Sequence, residues 1–409
     1  MKNGGVIGIE LEAAVQMILE RVSPVRETET LPLLDAWGRI LAEPVWAELD
    51  NPPFPRSPLD GYTFAAASSR GASEVQPVCL KEAGCVYAGQ YHSEAVEAGQ
   101  AVRIMTGAPI PAGCDCVVRL EDVKVLPSGE VLIFTEMKPW QNYCFQGEDF
   151  RKGTLLAETG TVLDAVNLGI LASAGMATVK VRRKPRIALL VTGDEVILPG
   201  MPLMPGKLYG SNLHVLYGRL LELGMEVVQA EAVADDPEAV AAEIRKLRDT
   251  GVDAIVTTGG VSVGDKDIFH QVLPILGAER LFWRVKMKPG TPAMFAVLDG
   301  LPMFHLSGNP FAALATFDLL VCPALSKLNG KETQEQRTVQ AVLQDGFAKA
   351  SGQRRFIRGM YENGIVRIRP TDSHSSGILS SMRGCNCLID IPAGTEPLEP
   401  GREVRVVLL

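Results

Sequence analysis

Between residues 186 and 328 the chain alternates short, wholly apolar runs with amphipathic stretches, and this alternation limits the fold more than any other feature. A run such as 187–191 has no polar face, so it suits a strand covered on both sides. It ends in Thr192-Gly-Asp-Glu195. Ser211 then suits the start of a helix whose Leu213, Leu216, Leu220 and Leu221 share a face, with Gly224 at its end. A strand over 226–230, the turn Ala234-Asp-Asp-Pro237, a helix over 238–247 and an apolar run at 254–256 follow, leading into Thr257-Thr-Gly-Gly-Val-Ser-Val-Gly264. Strands near 281–285 and 303–306 precede Ser307-Gly-Asn-Pro310, and Pro310 suits the first position of a helix over 311–320. The pattern predicts a mostly parallel sheet flanked by helices.

The flanks read differently. Leu11, Val15, Ile18, Leu19 and Val22 form a helical stripe that Ser23-Pro24 stops. Residues 45–154 hold short apolar runs broken by Pro and Gly, the signature of a loop-rich β domain. A helical segment over 162–171 and an alternating run at 177–181 lead to the basic boundary Arg182-Arg-Lys-Pro185. After 329 strands return: Asn363-Gly364 marks a two-residue hairpin turn, and the valine-rich 402–409 reads as a closing strand. The expected division is a discontinuous helical and linker part (1–44 with 155–184), a Pro/Gly-rich β domain (45–154), an α/β domain (185–328) and a C-terminal β domain (329–409).

A net charge of −8 disfavours nucleic acid or an anionic membrane as partner and turns attention to a small ligand. Residues 329–409 are the exception, with 11 Lys and Arg against 9 Asp and Glu. Apolar runs fall well short of the ~20 residues that cross a bilayer, and Glu10 and Glu12 interrupt any signal-type start, so a cytoplasmic protein is expected. Eight cysteines are too sparse for a disulfide scaffold. The pairs Cys114/Cys116 and Cys385/Cys387 read as alternation along strands rather than zinc ligands, and the five histidines lack ligand spacing.

In such a sheet, loops leaving the carboxyl ends of the strands share one edge, where ligands bind. Thr192-Gly193, Gly259-Gly260 with Gly264, and Gly308-Asn309 leave strands and enter helices, where bare N–H groups suit phosphate. Neither a Walker A sequence nor a dinucleotide fingerprint is present. The same loops carry Asp194-Glu195, Asp235-Asp236, Asp265 and Asp267. Carboxylate repels phosphate, so both on one rim point to a hard cation such as Mg²⁺ between them. Any single Asp, Asp236 before Pro237 above all, equally suits a helix cap.

The runs Ser57-Pro-Leu-Asp-Gly-Tyr62, Ile104-Met-Thr-Gly-Ala-Pro-Ile-Pro-Ala-Gly113, Gly147-Glu-Asp149, Val191-Thr-Gly-Asp-Glu195, Thr258-Gly-Gly-Val-Ser-Val-Gly-Asp265, Met287-Lys-Pro-Gly290 and Ser307-Gly-Asn-Pro310 stand in this order. In that order the chain resembles the molybdopterin molybdenumtransferases, the MoeA family, related to the gephyrin E domain. The likeness extends over essentially the whole chain. It implies an elongated protomer with a central mostly parallel α/β domain, a Pro-rich β domain and a C-terminal β-barrel-like domain, working as a homodimer with an active site shared between protomers. The reaction implied is Mg²⁺-dependent insertion of molybdate into adenylylated molybdopterin, with AMP released. A molybdopterin adenylyltransferase is the docking partner that this reading raises.

By motif, the resemblance puts Asp194, Glu195, Asp235 and Asp265 at the metal. Asp60, Thr106, Asp149, Glu195 and Asp267 become the catalytic set, the first three facing the other protomer's cleft. Thr192, Gly193, Asp236, Gly259, Gly260, Ser262, Gly264, Ser307, Gly308, Asn309 and Pro310 fall to the substrate. Lys286, Lys288, Pro289, Arg358, Ser375 and Ser376 form the implied molybdate pocket, while Arg354 and Arg355 read as solvated surface charge. Three positions depart from the family's usual wording: Ser307 for Pro, Thr291 for Lys and Gly210 for Asn. Ser307 and Thr291 raise one alternative, a tungstate-inserting paralogue, and the likeness to gephyrin, which has an anchoring role, raises another, a catalytically silent molybdopterin-binding scaffold.

Overall fold

The computed structural model describes residues 4–261, 267–331, 337–368 and 375–409. The chain forms two units, one of Met1–Thr30, Gly38–Ala42 and Lys180–Leu409, the other of Leu31–Trp37 and Glu43–Val179.

In the first unit a seven-stranded sheet runs in the order Val6–Ile9, Glu279–Val285, Met294–Leu298, Leu301–Leu306, Ala254–Thr258, Arg186–Thr192, Glu226–Val233. All neighbours are parallel except at Met294–Leu298, which is antiparallel to both of its partners. Ile187 and Leu189 face a core with Leu216, Leu220 and Phe311, whereas Ala188 and Leu190 face Val240, Ile244 and Phe269. Both faces are covered, which is why these strands show no polar alternation.

Two strands differ from the sequence expectation. Val6–Ile9 joins the edge of this sheet, although 1–44 reads as helical and linker. Four residues are too few to show a period. Met294–Leu298 returns to Leu301–Leu306 through Asp299-Gly300, with φ of 50° and 88°. Asp-Gly between apolar runs is a hairpin signal, so this strand was legible. The helix expected over 311–320 continues to Leu328 through a π turn at Phe317–Val321. By length and composition Pro310–Leu328 is apolar enough to span a bilayer, but 78% of its apolar window is buried inside the protein, so it packs as a core helix.

The C-terminal strands close on themselves in the order Arg354–Glu362, Ile365–Ile368, Thr338–Leu343, Glu403–Leu408, Cys387–Ile391 and back to Arg354–Glu362, a five-stranded barrel. Asn363 and Gly364 turn its hairpin with φ of 48° and 84°, as the dipeptide predicts. Met287–Lys288 pairs with Arg354 and Arg355 at the barrel edge, tying the α/β sheet's loop to the barrel.

The second unit holds a six-stranded sheet ordered Cys116–Arg119, Gly61–Phe64, Gln100–Ile104, Val78–Val86, Glu130–Ile133, Val123–Val125. It also holds a helix, Ala165–Ser173, whose first turn is capped by Asp164 accepting from the Asn167 N–H at 2.8 Å.

Candidate active site

The parallel strands of the first unit end on one edge, and their loops wall a cleft of about 1020 Å³. Thr192, Gly193, Glu195, Asp235, Gly259, Gly260 and Ser307–Pro310 line it together with Asp267. Close backbone approach explains the glycines. At Gly259, with φ of 95°, an added Cβ would stand 2.4 Å from the Thr192 carbonyl oxygen. No other residue lets these two loops touch.

The acidic loops are joined directly. The Asp194 N–H donates to Asp235 Oδ2 at 3.1 Å, and the Asp235 N–H donates to Asp194 Oδ1 at 3.4 Å. Lys207 Nζ donates to the Asp194 carbonyl. Asp236 stands apart as a helix cap, its Oδ1 accepting from the Ala239 N–H at 2.8 Å. Glu195 folds back over Gly193, where its carboxylate oxygens come within 3.0 and 3.1 Å of an ideal Cβ position.

Positive charge enters the cleft from the barrel side. Lys288 and Arg355 are register partners and both line it. Arg358 is 1% exposed, with its guanidinium carbon 4.2 Å from the Phe311 ring centroid and Nη2 donating to the Ser375 carbonyl at 3.1 Å. Burial draws its pKa below the usual arginine value, as expected when a cation loses water. The Phe311 N–H donates to the Ser376 carbonyl at 2.9 Å, so the helix start and the barrel loop close on each other.

Alternation along Arg354–Glu362 separates two neighbouring arginines that both read as solvated charge. Arg354 makes a bidentate pair with the buried Asp390, at 2.8 and 2.7 Å, and also pairs with Glu12. Arg355 belongs to the cleft wall. Lys286 lies outside that wall and pairs with Glu10 at 2.8 Å. Residues two apart on one strand face the same way, but Lys286 falls in the break between Glu279–Val285 and Met287–Lys288, so the pairing that alternation suggests does not hold. Ser262, Gly264 and Asp265 lie outside the described residues.

Asn212 is a cleft residue that sequence reasoning missed. Its Nδ2 donates to the Gly308 carbonyl at 2.8 Å, fixing the Ser307-Gly-Asn-Pro310 loop. The sequence offered only an Asn one position after the expected cap Ser211, and its burial is a product of the fold. The three unusual positions serve local needs. Thr291 Oγ1 donates to the Met287 carbonyl at 2.6 Å, and Ser307 Oγ accepts from the Asn309 N–H at 3.3 Å. At Gly210 a Cβ would meet Val196 Cγ1 at 2.5 Å, so the valine occupies the room a side chain would need.

Three further predicted residues belong to the second unit. Asp60 Oδ1 accepts from both the N–H and the hydroxyl of Thr106, each at 2.7 Å. These bonds hold the Asp60 carboxyl below the usual aspartate range. Asp149 Oδ2 accepts from Asn51 Nδ2 at 2.9 Å.

Among the described residues no group of three or more His, Cys, Asp or Glu forms a metal cage. Cys116 and Cys387 are buried in apolar cores, where burial pushes both thiols up to about 12, unlike metal-binding thiolates. Mg²⁺ instead takes one or two carboxylates and completes its shell with phosphate oxygens and water. Glu195 and Asp235, both on the cleft wall, fit that demand.

The chain matches three family models: the MoeA N-terminal region (domains I and II) over residues 9–175, the probable molybdopterin binding domain over 188–327, and the MoeA C-terminal region (domain IV) over 340–409. A Bacillus subtilis molybdopterin molybdenumtransferase is 34% identical over 388 residues, spanning 94% of this chain and 90% of the relative. One from Staphylococcus aureus is 32% identical, spanning 98% and 95%. A solved molybdopterin biosynthesis MoeA protein from Pyrococcus horikosii superposes with a TM-score of 0.84 at 32% identity, covering 98% of this chain and 99% of that one.

Proposed function

This chain belongs to the MoeA family, transferases of molybdenum cofactor biosynthesis, and we propose that it inserts molybdate into adenylylated molybdopterin with Mg²⁺, releasing AMP. The observation that carries the reading is the meeting in one cleft of carboxylates, Glu195, Asp235 and Asp267, with the cations Lys288, Arg355 and Arg358. A diphosphate-linked substrate and a tetrahedral oxyanion need both signs of charge close together.

Glycine-lined loops at Gly193, Gly259 and Gly260 offer backbone N–H groups to phosphate oxygens, and the Thr192 and Ser307 hydroxyls add donors. Lys288, Arg355 and Arg358 draw in molybdate and hold its oxygens. Glu195 and Asp235 would hold Mg²⁺, which when bound neutralises charge on the diphosphate and polarises the bond that yields AMP. Asp267 lies on the same wall, suited to taking a proton near the reacting phosphate. Asp60, Thr106 and Asp149 are proposed to act on the cleft of a second protomer in a homodimer. The local roles of Thr291 and Ser307 remove the motive for a tungstate enzyme, and the intact charge set removes that for a silent scaffold.

The test is direct. Purified protein given adenylylated molybdopterin, Mg²⁺ and molybdate should release AMP and form molybdenum cofactor, and chelating Mg²⁺ should stop both. Absence of AMP under these conditions would sink the reading.

A further inference from the structure

The second unit carries an exposed aromatic cluster that the reading above leaves unused. Trp140, Tyr143 and Phe145 pack with centroids 5.0, 5.5 and 4.9 Å apart, mostly edge to face or tilted. Trp140 is 53% and Phe145 47% exposed. Their loop is held in an unusual backbone shape, with φ of 67° at Trp140 and 54° at Asn142. For a bulky side chain that conformation costs free energy, and it persists only where surroundings enforce it. They do so here. The Trp140 N–H donates to the Asp115 carbonyl at 2.6 Å, the Val117 N–H to the Gln141 carbonyl at 3.0 Å, and Asn142 Nδ2 to the Val117 carbonyl at 2.9 Å.

The loop's neighbours narrow what it serves. Tyr143 packs on the same small core as Leu59, Ile104 and Ala108, which flank Asp60 and Thr106 in sequence. Arg56 bridges to Cys144 on one side and to Pro109 on the other, joining the aromatic loop to the loop that follows Thr106. The aromatic loop then runs into Asp149, four residues past Phe145. Exposed rings and exposed carboxylates are thus carried on loops that are joined to one another. The combination matches a flat heteroaromatic ring, whose face stacks on aromatic side chains while its N–H edge donates to carboxylates.

We propose that Trp140 and Phe145 form a stacking platform for a flat heteroaromatic ring of the substrate, with the edge of that ring read by the neighbouring carboxylates. The inference rests on the proposed function, whose substrate carries two such rings, pterin and adenine. Stacking supplies affinity with little demand on sequence around it, because every such ring has a π face.

The experiment uses Trp140→Gly in the full chain. Glycine adopts the left-handed backbone freely, which offsets part of the lost ring packing, and melting temperatures measured beside the titrations show that both proteins are folded at the assay temperature. Calorimetric titration with AMP and, separately, with 6-hydroxymethylpterin reads the two rings. The ring that stacks should bind roughly tenfold or more weakly to Trp140→Gly, and the other should be unaffected. Equal affinity of both proteins for both probes would overturn the platform. So would unchanged affinities with a dimer that dissociates on sedimentation, which would make the rings a subunit contact. Wild-type protein that binds a ring through Trp140 yet releases no AMP would instead count against the reaction and leave the platform standing.

Discussion

Asp194 and Asp235 each accept a hydrogen bond from the other's backbone N–H, at 3.4 and 3.1 Å, a reciprocal latch between two loops 41 residues apart. Acidic side chains near a phosphate site invite assignment as metal ligands. At this pair one oxygen of each carboxylate already helps build the wall, and the Mg²⁺ role proposed for Asp235 falls to its other oxygen, Oδ1.

The latch separates shape from charge at Asp194. Asp194→Asn keeps an acceptor oxygen and should retain AMP release within about threefold, whereas Asp194→Ala should lose roughly tenfold or more, given about 1.5–3 kcal/mol for a hydrogen bond to a charged group. If Asn fails as badly as Ala in single-turnover assays, the carboxylate's charge matters and Asp194 is a ligand.

Neighbouring arginines should part company. Arg355→Ala should raise the molybdate concentration for half-maximal insertion by about tenfold with little change in melting temperature. Arg354→Ala leaves the buried Asp390 without its bidentate partner and should destabilise the fold by about 3 kcal/mol, read by urea denaturation. Lys286→Ala, which breaks only an exposed pair with Glu10, should change neither by more than about twofold.

The proposal that a second protomer completes the cleft predicts complementation. Glu195→Gln and Asp60→Asn homodimers should each turn over at least about a hundredfold slower. Each mixed dimer made by unfolding and refolding the two together should carry one intact site of its two, so a statistical mixture, half of it mixed dimers, should regain up to about a quarter of wild-type activity. No recovery, with mixed dimers verified by mass, would count against sharing.

His305 should set part of the acid limit of stability. It is fully buried against Phe269 with Nδ1 2.9 Å from Thr257 Oγ1, and burial pushes its pKa down to about 3. The unfolded chain takes up a proton below about pH 6.5 that the folded chain refuses. Stability is therefore lost as pH falls from about 6.5 towards 3, at up to about 1.4 kcal/mol per pH unit. His305→Gln should show a shallower decline, measured as urea midpoints from pH 7 to 4.5. Identical slopes would exclude His305 as the source.

Much of the first unit was legible because its signals are local. The apolar run around Leu189 has no polar face, Asp236 precedes a proline at a helix start, and Asn363-Gly364 demands left-handed backbone wherever it occurs. Such features depend on a few consecutive residues, so the strands, caps and turns follow from sterics and hydration alone. The motif order was legible too, which is why family and reaction class could be read before any coordinates.

Other matters required the tertiary structure. That Arg355 faces the cleft while Arg354 pairs with Asp390 depends on strand phase, and a shift of one residue would exchange them. Asn212 gains its role only because the Gly308 carbonyl arrives beside it, 96 residues along the chain. Gly210 reads as a departure until Val196 is seen in the space that a side chain would fill. The sequence by itself determined which local shapes the chain adopts and which charges it brings. Folding alone decided which of those charges meet, because pairing across a sheet or between loops is set by distances between segments that no local pattern encodes.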